Sequence, residues 1–304
     1  MTNTDKLQPS HIDIPQAGQQ AQPEEKATIL VTGATGNVGR HVLALLVAGG
    51  HPVRALSRAP QAAVWPAEVD VVAGDLADPA ALDAALTGVE AVFLFAAPGS
   101  GPAFVAAAQR AGVRRVVLLS SGGVDDDAPV QDGPIAAYHA ELENALRGSG
   151  LAWTFLRPDV FAANTLMWAG QTKAGDVVRG AYAQAAAAPV HEADIAAVAV
   201  AALTQDGHAG QIYRLTGPES LTHADQATIL GRALDRPIHY AELPAEAVRQ
   251  MMSAHVPGPI LDDIFTTWAA SVGRLAPITT DIEKVTGRPA RSYHHWVLDH
   301  ATSF

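Results

Sequence analysis

The stretch TILVTGATGNVGR, residues 28–40, decides the fold of this 304-residue chain. It begins as a short apolar run rich in β-branched residues, which is typical of a buried parallel strand. Gly33, Gly36 and Gly39 follow at intervals of three, and helical periodicity starts directly after them. Such glycines permit a tight turn and let a pyrophosphate approach the backbone, and the helix N-terminus offers N–H groups to it. The pattern therefore predicts a dinucleotide site. The residues expected to bind the cofactor at this turn are Gly33, Thr35, Gly36, Asn37 and Val38.

Strand and helix patterns alternate from Ala27 to Pro158. Alternating strands and helices of about ten residues indicate βαβ units, and therefore a doubly wound parallel sheet of the Rossmann type. The fold class we predict is α/β, with a smaller, mostly helical C-terminal substrate lobe over the carboxyl edge of the sheet. The predicted strands are residues 27–33, 51–58, 69–75, 90–98, 114–121 and 152–158.

Three segments are expected from the change of pattern along the chain. Residues 1–26 are polar and rich in Gln and Pro, lack the apolar core of a signal peptide, and predict a disordered tail. Residues 27–157 form the predicted cofactor-binding Rossmann domain. Residues 158–304 form the predicted substrate lobe, from which about residues 190–217 return to the Rossmann core.

Two helix starts can be predicted in this C-terminal part. Asp194 is placed as the N-cap of the helix predicted within residues 193–203, and Thr222 and Asp225 have the spacing of a capping box.

Composition excludes several classes of function. The formal net charge is −11, and no basic run exceeds two residues, which argues against a nucleic-acid partner. The sequence has no Cys, which excludes disulfides, thiolate nucleophiles and Cys-ligated zinc. No apolar run is long enough for a membrane span. We therefore expect a cytoplasmic protein. As partners we expect a small apolar or aromatic substrate and a second copy of the chain in a homodimer.

The end of the second predicted strand indicates which dinucleotide binds. An NAD site normally carries an acidic residue there, but this sequence has Ser57 and Arg58. Arginine suits a 2′-phosphate through charge-assisted hydrogen bonds, so NADP(H) is favoured. Asp75, after the third strand, is placed either to bind on the adenine side or to cap the next helix.

Five segments of the sequence carry a family resemblance: ILVTGATGNVGRHV, VRALSR, GDLADPAAL, VVLLSSGG and LENALRGSGLAWTFLRPDVFAAN. In these segments the chain resembles the NmrA-like group of atypical short-chain dehydrogenases/reductases. The resemblance extends from Ala27 to the C-terminus. It implies a Rossmann core that holds NADP(H) and a C-terminal substrate lobe. The group includes reductases of quinones, azo compounds and carbonyl or enoyl compounds, and also redox sensors without turnover.

The catalytic pair of short-chain reductases is a Tyr followed four residues later by a Lys, one turn apart on a helix. Counting from Tyr138 places Leu142 at the Lys position. If Glu143 instead sets the register, as in the family's Lys-x-x-x-Glu helix, His139 takes the Lys position and Ile135 the Tyr position. The Tyr–Lys pair is absent in both registers, so His139 becomes the main catalytic candidate.

Other candidates surround the expected nicotinamide position. Ser120 ends the fifth strand, where the wider superfamily has a Ser that binds the substrate carbonyl, although a structural Ser at a strand end is an equal alternative. Glu143 is more plausibly structural. Pro158 is expected at the cofactor, and the substrate-pocket candidates are Phe161, Asn164 and Trp168.

Metal and hydrolase chemistry are not expected. His191, Glu192 and Asp194 lie too close together for a closed metal site, and His295 and Asp299 share a helical face without an evident third ligand. No Gly-x-Ser-x-Gly elbow is present.

The function we expect is an NADPH-dependent oxidoreductase that transfers hydride to an apolar quinone, ketone or enone. Ser120, His139 or water would stabilise the oxyanion. The alternative is a non-catalytic NADP(H) sensor, which the missing Tyr–Lys pair would suit.

Overall fold

A computed structural model describes residues 27–95 and 98–304 of the chain. The predicted tail, residues 1–26, lies outside these described residues, as do residues 96 and 97 of the fourth predicted strand. The strands in chain order are β1 (Thr28–Thr32), β2 (Val53–Ser57), β3 (Val69–Ala73), β4 (Val89–Leu94), β5 (Arg115–Leu119), β6 (Ala152–Pro158), β7 (Val177–Gly180), β8 (Ala186–Ala187), β9 (Gln211–Leu215), β10 (Leu221–Thr222) and β11 (His239–Glu242).

Seven strands form one parallel sheet in the order β3-β2-β1-β4-β5-β6-β9. The order reverses between β1 and β4, the place where open α/β sheets bind ligands at the carboxyl ends of their strands. This arrangement confirms the predicted doubly wound Rossmann fold. The seventh strand, β9, comes from residues beyond Pro158 and pairs with β6, with Phe155 opposite Ile212.

Helices cover both faces of the sheet and form the C-terminal lobe. None of the helices in the described residues combines the length and apolar character that a membrane crossing requires. The α-helices are α1 (Gly39–Ala48), α2 (Pro79–Leu86), α3 (Gly101–Ala111), α4 (Pro134–Arg147), α5 (Ala169–Ala174), α6 (Glu192–Thr204), α7 (His223–Ala233), α8 (Ala245–Met252), α9 (Gly258–Ser271), α10 (Asp281–Thr286) and α11 (Tyr293–Asp299).

Adjacent residues of β1 show why its sequence is continuously apolar. Val31 packs in the layer formed with α1 and α6, whereas Leu30 packs in the opposite layer, with α2, α3 and α4. Both side chains are completely buried. A strand buried on both faces needs apolar residues at every position, which explains the continuous apolar run of β1.

The lobe has its own apolar core, in which Trp168, Tyr293 and Trp296 are buried. Two short ladders support it: β7 pairs in parallel with β11, and β8 pairs antiparallel with β10. These strands, of two to four residues, were not expected, because such short segments show no clear period of two.

The two predicted helix starts have different outcomes. The capping box is confirmed, since the Thr222 side chain accepts from the Asp225 N–H and the Asp225 side chain accepts from the Thr222 N–H. The prediction that Asp194 caps α6 is wrong. His191 is the N-cap, and its Nδ1 accepts from the Ala193 N–H at 3.1 Å, while Asp194 is buried and paired with Arg291.

Candidate active site

The glycine-rich turn connects β1 to α1 with very little space. A Cβ atom on Gly39 would lie 2.1 Å from the Gly33 carbonyl oxygen, so helix and turn could not approach this closely with any larger residue. Gly33 has a φ of +61°, a left-handed conformation that favours glycine, and a Cβ there would lie 2.9 Å from the Phe95 ring. The turn therefore has the shape that a bound pyrophosphate requires.

The N-terminus of α1 is free to receive an anion. Among the described residues, the N–H groups of Asn37 and Val38 have no protein acceptor, and the first turn has no acidic side chain. Thr35, Gly36 and Asn37 are exposed, whereas the Val38 side chain is buried in the core. Val38 can therefore contact a cofactor only through its backbone. Uncapped N–H groups at a helix start suit a phosphate.

The carboxyl ends of β2 and β3 bring Ser57 and Asp75 close to each other. The Gly74 N–H donates to the Ser57 carbonyl at 2.9 Å, and the Ser57 hydroxyl accepts from the Ala59 N–H at 3.3 Å. Asp75 accepts from the Ala77 N–H at 2.9 Å, within its own turn. The alternative that Asp75 caps the following helix is wrong, because Asp78 is the N-cap of α2.

Arg58 is the cation that the sequence predicts for a 2′-phosphate. Its side chain is exposed, and no side-chain partner of it is found in the described part of the chain. Arg54, by contrast, is held by Asp70 at 2.6 Å and by the carbonyl oxygens of Ala85 and Thr87. A guanidinium without a protein partner can bind a phosphate without first breaking an ion pair.

Ser120 and Glu143 are joined at the carboxyl end of β5. The Ser120 hydroxyl donates to Glu143 Oε1 over 2.5 Å, and both side chains are buried. The hydroxyl has only one hydrogen, so Ser120 can act as an oxyanion donor only if it releases Glu143. In its present geometry the lone pairs of Ser120 can accept a hydrogen bond.

Arg157 neutralises this buried carboxylate. Its Nε and Nη2 donate to the two oxygens of Glu143 at 2.9 and 2.6 Å, and its Nη1 and Nη2 donate to Asp126 at 2.8 and 2.7 Å. Arg147 adds a contact of 3.1 Å to Glu143. Burial tends to lower the pKa of Arg157, but the hydrogen bonds to Glu143 and Asp126 raise it above its ordinary value. Arg157 therefore stays charged and balances Glu143.

His139 lies one helical turn before Glu143 on α4. Its Nδ1 is buried and has no hydrogen-bond partner within residues 27–95 and 98–304. Burial lowers the pKa of His139 to about 4, although the Glu143 carboxylate acts in the opposite direction. At neutral pH His139 is therefore an uncharged imidazole, and its buried Nδ1 has unused hydrogen-bonding capacity. Such a group can hydrogen-bond a ribose hydroxyl, so the site fits a bound nucleotide.

Tyr138 differs electrostatically from a reductase tyrosine. Its ring contacts the His139 ring with 4.5 Å between centroids, and burial raises the pKa of Tyr138 to about 12. A neighbouring cation would lower that pKa. The phenol is therefore a weak proton donor in this environment.

The residues predicted for the substrate pocket lie in different environments. Phe161 is half-buried and bridges to Val190, and Asn164 is exposed. Trp168 is buried in the lobe core, where its ring meets Tyr240 edge-on at 5.8 Å. Pro158 is buried, and its carbonyl accepts from the Gly122 N–H at 2.8 Å, so the segments after β5 and β6 are adjacent.

His191 and Glu192, at the start of α6, contact residues near the C-terminus. His191 Nε2 lies 3.2 Å from Asp299 Oδ2, and His300 Nε2 lies 3.0 Å from the buried Glu192 carboxylate. Across residues 27–95 and 98–304, no group of three His, Asp or Glu is arranged to hold a metal ion. These contacts attach the C-terminal helix α11 to the start of α6.

Sequence reasoning did not find Arg157 and Asp126. The sequence held two signals for them. Arg157 stands directly before Pro158 at the end of a buried strand, and a run of three Asp, residues 125–127, follows β5. A buried arginine needs an acidic partner, but the pattern alone does not say which one.

Comparisons with known proteins agree with this geometry. The chain matches a family model described as NAD(P)H-binding over residues 33–206. It is 42% identical over 281 residues to the (4-alkanoyl-5-oxo-2,5-dihydrofuran-3-yl)methyl phosphate reductase of Streptomyces griseus, covering 91% of this chain and 99% of that protein. It is 36% identical over 285 residues to the NAD(P)H azoreductase of Xenophilus azovorans, covering 91% of this chain and 99% of that protein.

A solved structure shows the same architecture. The NADPH complex of the quinone oxidoreductase QOR2 from Escherichia coli superimposes with a TM-score of 0.75 at 27% identity, and the match covers 90% of this chain and 99% of that one. The family model covers more than half of the chain. With the glycine turn, the free N–H groups of α1 and the sheet order, these matches show that the chain belongs to the NAD(P)H-binding family of Rossmann-fold proteins.

Proposed function

We propose that this protein is an NADPH-dependent reductase that transfers hydride from nicotinamide C4 to an apolar quinone, ketone or enone. The names of three relatives support this class of reaction: a dihydrofuranone phosphate reductase, an azoreductase and quinone oxidoreductase 2. The dihydrofuranone, azo and quinone groups in these names all contain a π system that can accept a hydride. The exposed Arg58 at the end of β2 supports NADPH over NADH.

The observation that carries the choice of acceptor is the pair of pKa shifts on α4. Burial lowers the pKa of His139 to about 4 and raises the pKa of Tyr138 to about 12. Neither group is a strong acid catalyst near neutral pH, where a matched pKa would be most effective. A quinone or enone spreads the arriving charge over a conjugated system, so its reduced anion needs less help from a local acid than a simple alkoxide does.

Ten of the fourteen predicted site residues then have a defined task. Gly33, Gly36 and the N–H groups of Asn37 and Val38 would hold the pyrophosphate, and Arg58 the 2′-phosphate. Bound NADPH supplies the hydride. The uncharged imidazole of His139 would orient the nicotinamide ribose or donate a hydrogen bond to the reduced oxygen. A further group of residues would line the acceptor side: Ser120, Pro158, Phe161 and Asn164.

The test is loss of NADPH absorbance with a panel of quinones, enones and aromatic ketones under anaerobic conditions. Turnover with at least one conjugated acceptor, at a rate that scales with enzyme, is expected. NADPH binding without turnover across the panel would contradict the proposal and favour the sensor alternative. A sensor should also bind one redox form of the nucleotide much more tightly than the other.

A further inference from the structure

One buried arginine connects three parts of the candidate active site: the end of β6, α4 and the segment between β5 and α4. Arg157 is 7% exposed and lies one residue before Pro158 at the carboxyl end of β6. Its guanidinium is shared between Glu143 on α4 and Asp126 in residues 121–133, which we call the β5–α4 loop. Two nitrogens contact each carboxylate, and two-point pairs of this kind fix geometry as well as charge.

The β5–α4 loop is organised so that one anchor can set its position. Within it, Gln131 Nε2 donates to the Asp125 carbonyl at 2.7 Å, and the Asp125 N–H donates to Gln131 Oε1 at 2.9 Å. The loop is tied to the sheet by Gly122, which donates to the Pro158 carbonyl, and by Asp126. The Arg157–Asp126 contact therefore acts on a preformed loop.

The far end of this loop lies against the lobe. A Cβ atom on Gly133 would lie 2.6 Å from an Asp263 carboxylate oxygen of α9. The next residue, Pro134, begins α4, whose second turn carries His139. The loop thus extends from the sheet edge to a lobe helix, and it leads directly into the helix that carries His139.

We propose that Arg157 is a positioning residue that acts through Asp126 to hold the β5–α4 loop as a wall of the acceptor side of the cleft. The glycine turn and Arg58 follow β1 and β2, whereas the loop follows β5, which β4 separates from β1 in the sheet. The contact should therefore govern acceptor binding and leave nucleotide binding intact. This inference rests on the proposed reductase function.

The variant that tests this anchor is Asp126→Asn, which also weakens the 2.8 Å hydrogen bond that Arg147 Nη2 donates to Asp126. Asp126 has a side chain that is 47% exposed, and its replacement leaves the buried Glu143–Arg157 pair in place. Asp83→Asn is the matched control, because Asp83 is 56% exposed and pairs with Arg110 at 2.8 Å between α2 and α3. Asp126→Glu keeps the carboxylate and should restore part of the effect.

Steady-state kinetics with NADPH and an active acceptor give the first readout. Asp126→Asn should raise the acceptor KM about five- to tenfold, as expected for a lost hydrogen bond to a charged group, while kcat changes less than about twofold. The NADPH Kd and the melting temperature should match those of Asp83→Asn. An unchanged acceptor KM, or a KM change equalled by the control, would overturn the proposal.

Hydrogen exchange gives a readout that needs no turnover. With NADPH bound, amide exchange in residues 121–133 should become about tenfold faster in Asp126→Asn and stay unchanged in Asp83→Asn. Unchanged exchange overturns the positioning role whether or not any acceptor is reduced. If the wild-type protein reduces no acceptor, the proposed function fails, and faster exchange in the loop would still support its positioning by Arg157.

Discussion

The Ser120 hydroxyl donates its hydrogen to the Glu143 carboxylate over 2.5 Å, in a part of the site closed to water. The hydrogen that an oxyanion would need is therefore already used. Ser120→Ala should lower kcat less than about fivefold, the scale of one net hydrogen bond. Steady-state NADPH oxidation with an active quinone or enone measures this. A fall on the order of a hundredfold or more would identify Ser120 as a true oxyanion donor.

Glu143 should matter far more for stability than for the chemical step. Glu143→Leu would leave Arg157 buried without its main counter-charge, a change that typically costs about 3–5 kcal/mol. Urea denaturation at pH 7 measures the free energy of unfolding. Glu141→Leu is the control, because Glu141 is exposed on the same helix, and a surface change should stay within about 0.5 kcal/mol. Equal effects of the two variants would contradict the buried network.

His139 should make the fold less stable as the pH falls. Its pKa is about 4 in the folded chain, against about 6.5 for an ordinary histidine. Between these values the unfolded chain binds more protons, so the free energy of unfolding contributed by His139 is complete above pH 6.5 and is lost as the pH falls toward 4. His139→Asn should remove this part of the pH dependence.

Denaturation of the wild type and His139→Asn at pH 7 and pH 5 tests this prediction. The stability difference between the two proteins should shift in favour of the variant at pH 5. His294→Asn, at an exposed position of α11, serves as the control and should show no such shift. A difference that is equal at both pH values would mean that His139 is not held neutral by burial.

Arg58 should determine the preference for NADPH. Arg58→Ala removes a charged donor from the 2′-phosphate, so the NADPH Kd should rise about tenfold to a hundredfold. The NADH Kd should stay nearly constant, because NADH lacks that phosphate. Fluorescence titration measures both constants. Arg288→Ala, another exposed arginine, should change neither, and an equal loss for NADH and NADPH would contradict the role of Arg58.

The fold could be predicted from local patterns, whereas the network around Glu143 could not. The glycine turn and the alternation of strands and helices depend on residues close in sequence, and they led to the correct sheet. Arg157 and Asp126 are 31 residues apart, and Ser120 and Glu143 are 23 apart, so their contacts exist only after β5, β6 and α4 have packed. The predicted N-cap of α6 was wrong for a related reason. Asp194 pairs with Arg291, which is distant in sequence, and His191 is the N-cap.

The register of α4 was the most informative local inference. It identifies His139, and not Tyr138, as the main catalytic candidate. In the structure the pKa of Tyr138 is raised and that of His139 is lowered, and burial causes both shifts. The environment of each side chain, and not its residue type, decides whether it can deliver a proton. The sequence could indicate the candidates but not their burial.

The most direct measurement of the proposed reaction is anaerobic turnover of NADPH that carries deuterium at the transferred C4 position. We expect slower oxidation than with ordinary NADPH when the acceptor is a quinone, and deuterium bound to carbon in the product when it is an enone. Tyr138→Phe should leave this turnover nearly unchanged. Tight binding of NADPH with no oxidation by any acceptor would contradict the account.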